Sequence, residues 1–227
     1  MTLMISSMIG FGVVSGGGSV ATATFTDNTV STTNTTAYTF SSQSLGTAAS
    51  DRQILVATYG YNTGRVVSSL TVGGESAANK LRKQQSEVNI EFWTVALASG
   101  TSGDIVVTWD GAMIQCGIGV WALYGASTTP SDTSSVAVTG AGLSLAVAHT
   151  SPADGFAIGY AADSSNIVTF AWDSSFVEKF DEAVEPNANH AGAQFDGVFD
   201  DTVTVTLTAG GGSAASKALG LISYGTA

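Results

Sequence analysis

Residues 202–208 read Thr-Val-Thr-Val-Thr-Leu-Thr. Val203, Val205 and Leu207 take every second position, and an extended strand sends successive side chains to opposite faces. One face is therefore apolar and the other polar, the pattern of a half-buried antiparallel strand. A helix would scatter the same residues around its circumference.

Outward from this stretch, short runs of β-branched and aromatic residues recur, broken by Gly, Asn, Asp and Ser. Before the middle of the chain they are 22–25, 38–41, 53–61, 66–72, 88–97, 104–109 and 114–124. After it they are 136–138, 143–149, 155–161, 167–172, 176–180 and 218–224. Each reads as a strand bounded by turns. No stretch sustains a 3.6-residue apolar stripe, so at most a helical turn or two is expected, near 76–81, and 186–193 reads as a loop. So many strands cannot stay in one open sheet. The expected fold is all-β: a two-layer antiparallel β-sandwich of jelly-roll type.

Composition agrees. Ser and Thr contribute 28 residues each and Gly 27, while only 11% of residues are charged. A faint echo links the two halves: DIVVTW (104–109) leads to IGVWALYGA (118–126), as TVTVTLT leads to ALGLISYGT (218–226). Asp51, Ile54 and Val56 roughly parallel Asp154, Phe156 and Ile158. The organisation that follows is an N-terminal arm, 1–20, and a sandwich domain, 21–227, with pseudo-symmetric halves 21–127 and 136–227 joined through 127–135.

The net charge of −11 reflects a shortage of bases, with seven Lys and Arg in all. A phosphate-tracking surface needs many cations in one stripe, so nucleic acid is not an expected partner. Lys80, Arg82 and Lys83 form the one basic cluster and read as a solvated loop. Cys116 is the single cysteine and lies in an apolar run, which makes it a buried, inert thiol. His149 ends a strand and reads as a satisfied edge histidine, whereas His190 falls in the expected loop and reads as solvated. Neither sits in a catalytic or metal-ligand motif, and the chain is not expected to be an enzyme.

The opening MTLMISSMIGFGVVSGGG has no Lys or Arg before its apolar stretch, unlike a secretory signal. Interrupting serines and glycines leave it short of a membrane span. Leu3, Met4, Ile5, Met8, Ile9 and Phe11 would be costly to leave in water, so the arm is expected to fold back or to dock on a partner. Gly16, Gly17 and Gly18 read as its hinge.

Acidic residues concentrate in Glu178, Asp181, Glu182, Glu185, Asp196, Asp200 and Asp201, seven of the eighteen within 24 positions. Carboxylates on loops are hard oxygen ligands, so Asp181, Glu182, Glu185, Asp196, Asp200 and Asp201 are candidates for Ca²⁺, with an exposed acidic loop as the alternative. Tyr61 and Trp109, at strand ends beside Asn62 and Asp110, are candidates for stacking on sugar.

TFSSQSLGTAASDRQILVATYGY (39–61), VSSLTVGGESA (67–77) and FWTVALASGTSGDIVVTWDGAMIQCGIGVWALYGA (92–126) resemble small β-sandwich structural proteins of tailed bacteriophages. IGFGVVSGG (9–17) is similar to the Gly-Phe-Gly leaders of phage appendage proteins. The resemblance covers the first half and brings no catalytic residues. It implies a virion protein on the particle exterior, a tail-fibre or tail-tip component anchored by its arm to other virion proteins and to copies of itself. A capsid decoration protein, or a carbohydrate-binding module facing a host glycan or receptor, are the alternatives.

Overall fold

The computed structural model describes residues 20–140, 144–165, 168–173, 175–184, 186, 188–209 and 216–227. Those residues form seventeen strands and no helix. The first half contains β1 (Thr22–Ser31), β2 (Thr35–Ser44), β3 (Gln53–Tyr61), β4 (Val67–Val72), β5 (Glu75–Ser76), β6 (Ala78–Gln85), β7 (Val88–Ala96), β8 (Ser102–Met113) and β9 (Gln115–Tyr124). The second contains β10 (Asp132–Thr139), β11 (Ser144–Ser151), β12 (Phe156–Asp163), β13 (Val168–Trp172), β14 (Val177–Val184), β15 (Ala188–Asp196), β16 (Phe199–Ala209) and β17 (Ser216–Tyr224).

Strand order repeats between the halves. In the first, β1-β9-β3-β7-β6 form one antiparallel sheet and β2-β8-β4-β5 another. In the second, β10-β17-β12-β15-β14 match the former and β11-β16-β13 the latter. First and last strands lie side by side in each five-stranded sheet, and second and next-to-last in each smaller sheet, which is the jelly-roll order.

Each half is thus a two-layer sandwich with its own core. Ile54, Val56, Leu70, Val107, Trp109, Ile118 and Val120 fill the first. Ala157, Phe170, Val203, Val205, Leu207, Leu219 and Leu221 belong to the second. A third apolar cluster joins them, with Leu55, Tyr59, Phe92, Trp121 and Leu123 from one five-stranded sheet and Phe156, Ile158, Tyr160, Phe180 and Ile222 from the other. The expected two-layer sandwich is present in each half, and the two stack with the five-stranded sheets innermost. β1 lies against β14 and β6 against β10. These are the same contact seen from the two halves, as an isologous pairing produces.

This layering explains two kinds of strand. β3, β9, β12, β15 and β17 are buried along nearly their whole length. Covered on both faces, they read as continuous apolar or small-residue runs. β16 belongs to an outer sheet, and its inward Val203, Val205 and Leu207 alternate with threonines.

Close packing of the inner sheets depends on missing side chains. A Cβ on Gly192 would lie 2.4 Å from Phe180 and 2.9 Å from Trp121. A Cβ on Gly220 would meet Leu81 at 3.0 Å and Phe92 at 3.1 Å. A methyl group on Gly192 would force the Phe180 ring to move, and one on Gly220 would require Leu81 and Phe92 to give by a few tenths of an ångström.

Four expectations need correction. Residues 76–81 are not helical: they enter β6, an edge strand whose charged residues suit an unpaired edge. Residues 188–193 belong to β15 rather than a loop, because their small side chains leave room for the rings opposite. β10 begins at Asp132, four positions before the expected start of the second half. The Tyr-Gly echo is out of phase, since Ile118 faces the first core while Ala218 faces the layer between the halves. A one-residue slip reverses every side chain in a strand. Asp51 and Asp154 are nonetheless equivalent: Asp51 accepts from the Gly125 amide at 2.7 Å and Asp154 from the Thr226 hydroxyl at 2.6 Å, each tying the end of its half's last strand.

Candidate functional site

A cluster of hydrogen-bonded polar side chains lies where the two halves are joined. Asp132 and Ser134 alternate on β10 and so share a face, against which β11 brings His149 and Thr150. His149 Nδ1 lies 2.9 Å from Ser134 Oγ and 3.1 Å from Asp132 Oδ2. The same Asp132 oxygen accepts from the Thr150 amide at 2.9 Å and its hydroxyl at 3.1 Å. Beside this cluster are two hollows of ≈ 400 and ≈ 320 Å³ that share Ser131 and Pro152.

Serine, histidine and aspartate together invite comparison with a hydrolytic triad. Such a triad needs the serine on one ring nitrogen and the carboxylate on the other. Here both approach Nδ1, and Nε2 is buried without a hydrogen-bond partner. A neutral ring with its proton on Nδ1 donates to Asp132 and cannot also accept a proton from Ser134 through that atom. The arrangement fixes β11 against β10 and offers no route for activating the serine. No sequence signal pointed to it, because Asp132 and Ser134 lie at the joint and meet His149 only through the fold.

His190 occupies the layer between the halves and is fully buried, not solvated. Its Nδ1 is 2.7 Å from the Tyr160 hydroxyl, and its ring packs edge-on against Phe180. Burial pushes His149 down to about 4, against the opposing pull of Asp132, and His190 down to about 3. Both rings are neutral in the fold at pH 7, whereas unfolded histidine takes a proton below about pH 6.5. Their contribution is complete above that value, is lost as pH falls toward the folded values, and levels off below them. Glu91 and Asp163 act in the opposite sense, because burial raises them. Their folded forms take protons first and return stability at lower pH. The urea midpoint should therefore fall between pH 7 and pH 5, by an equivalent of about 3 kcal/mol. A flat profile would contradict this burial.

Trp109 is 1% exposed in the first core, and a Cβ on Gly60 would lie 2.4 Å from its ring. It is not a sugar platform, because its apolar ring faces the core from β8 while Asp110 points outward. Tyr61 is half-buried at the edge of the layer between the halves.

Asp181 accepts from the Phe170 amide at 2.9 Å, while Glu182, the next residue of β14, accepts from Asn28 of the first half. Asp196 accepts from Gln194 at 2.8 Å. Asp200 and Asp201 are successive residues of β16 and so point to opposite faces. The fold spreads these five apart, and among the described residues no group of three His, Cys, Asp or Glu is placed to hold a metal ion. Glu185 and the arm residues Leu3, Met4, Ile5, Met8, Ile9 and Phe11 lie outside the described residues.

Cys116 is fully buried, and burial raises its thiol far above the ordinary range. Arg82 is not a loop cation: its guanidinium is 2.9 Å from the buried Glu91 carboxylate, which also accepts from Val67, Asn79 and Trp93. No helix among the described residues is long and apolar enough to cross a membrane. No protein-family model matches the chain, and no curated protein sequence does.

Proposed function

We propose that the chain is a non-enzymatic structural protein of the exterior of a bacteriophage particle, a tail-fibre or tail-tip component held by its N-terminal arm. The observation that carries this reading is the four-layer block, in which the central strands are covered on both faces by a core. Such a body resists local opening and suits a display element under mechanical load. Its buried charged groups serve the fold: Arg52 and Glu91 make their hydrogen bonds inside it. Jelly rolls recur in viral shells and in lectins, a fold-level analogy that adds to the resemblance of residues 39–61, 67–77 and 92–126. With Trp109 in the core, the carbohydrate-binding reading loses one of its two aromatic candidates.

Immunogold labelling of intact particles tests the proposal. Gold is expected on the tail or another exterior surface. Particles that bind no gold while the disrupted preparation does would place the protein elsewhere.

A further inference from the structure

The five-stranded sheets correspond strand for strand, and their fifth strands, β6 and β14, are each eight residues long. Both are outermost: among the described residues β6 pairs only with β7, and β14 only with β15. Equivalent in position, they are opposite in charge. β6 carries Lys80, Arg82 and Lys83 and no acid, whereas β14 carries Glu178, Asp181 and Glu182 against the single base Lys179.

Arg82 is engaged by the buried Glu91. Lys80 donates to the carbonyl of Thr128 at 3.1 Å, which leaves its charge unneutralised. Among the described residues neither Lys80 nor Lys83 meets a carboxylate at ion-pair distance, and no cation pairs with Glu178, Asp181 or Glu182. The neighbouring edges do not reverse these signs. β1, against β14, adds Asp27, and the one charge on β10, against β6, is Asp132 at the strand's start, where it binds His149 and Thr150. β6 and β14 stand on opposite flanks of the block, because β10 and β1, which lie against them, are at the far ends of the other's sheet.

An unpaired strand edge is a template for another chain, and lysines on it repel a second edge of the same kind. Two acidic edges repel in the same way, while a basic edge and an acidic edge attract. We propose that copies of this chain associate edge to edge, the β6 flank of one against the β14 flank of the next. Such a contact joins two different surfaces, so it repeats from copy to copy and builds a ring or an open string. It requires no other virion protein, and its failure would leave the particle location open.

Light scattering of the intact chain tests it. At low salt the mass should climb past that of two chains as concentration rises, and it should return to that of one in about 1 M salt, where the Debye length is about 3 Å. Lys80→Glu with Lys83→Glu should abolish the association, and so should Glu178→Lys with Glu182→Lys. A chain carrying all of these changes exchanges the signs of the two flanks and should associate again, which a folding defect would not permit. A native chain that stays single up to about a millimolar would overturn the proposal. So would association indifferent to salt, a combined variant that stays single, or a dimer that grows no further, which marks a like-with-like contact.

Discussion

Replacing Arg52 by Ala is expected to cost about 4 kcal/mol or more, among the largest effects of any single substitution here. Arg52 is 1% exposed. Its guanidinium donates to the carbonyls of Leu45 at 3.0 Å, Gly46 at 3.1 Å, Leu97 at 2.8 Å, Ser99 at 2.8 Å and Gly100 at 2.8 Å. One side chain thus ties the loop after β2 to the loop after β7, across the end of the first sandwich. Alanine would leave those carbonyls without their donor and open a void where the planar group sat. Lysine cannot replace the fork, since an ammonium has three donors and no fixed plane. Urea unfolding of Arg52→Ala and Arg52→Lys checks this, and a loss below about 1 kcal/mol for the alanine variant would show that water satisfies those groups equally well.

Trp121→Ala is expected to cost 3 to 5 kcal/mol, roughly the range for an aromatic removed from a core. Its ring is fully buried between the halves, 5.4 Å from Phe25 and 6.2 Å from Phe180 by centroids. Phe180 belongs to the second half, so the cavity would open at the joint between the sandwiches rather than inside one of them. The native chain should unfold in one transition, and Trp121→Ala should either lower that midpoint or split it in two. Two independent transitions in the native chain would mean that the layer between the halves couples them weakly.

The outer sheets were the more legible part of the fold. Val203, Val205 and Leu207 alternate with threonines because one face of β16 meets water, and alternation identifies a strand directly. The inner strands gave a different signal. QILVATYGY and FAIGYAAD are unbroken because a second sandwich covers the face that would otherwise be polar. Unbroken runs indicate burial on both sides without naming what covers each side, so the stacking of one sandwich on the other is visible only in the fold.

β6 and β15 were hidden for opposite reasons. ANKLRKQQ carries the charge of an edge strand and resembles a helix or loop, while ANHAGAQFD is small because Phe180 and Trp121 need the space. At the candidate site, Asp132, Ser134 and His149 are far from any local motif and meet only through the packing of β10 on β11. Trp109 was misplaced because a strand end looks exposed in sequence, yet its position on β8 turns the ring inward.

Quantitative mass spectrometry of purified phage particles tests most directly whether this double sandwich is part of a particle. Peptides from this chain are expected in the particle fraction, at a few to a few dozen copies per particle for a tail component. Hundreds of copies would identify a capsid decoration protein instead, and absence of the chain from intact, infectious particles would contradict the claim.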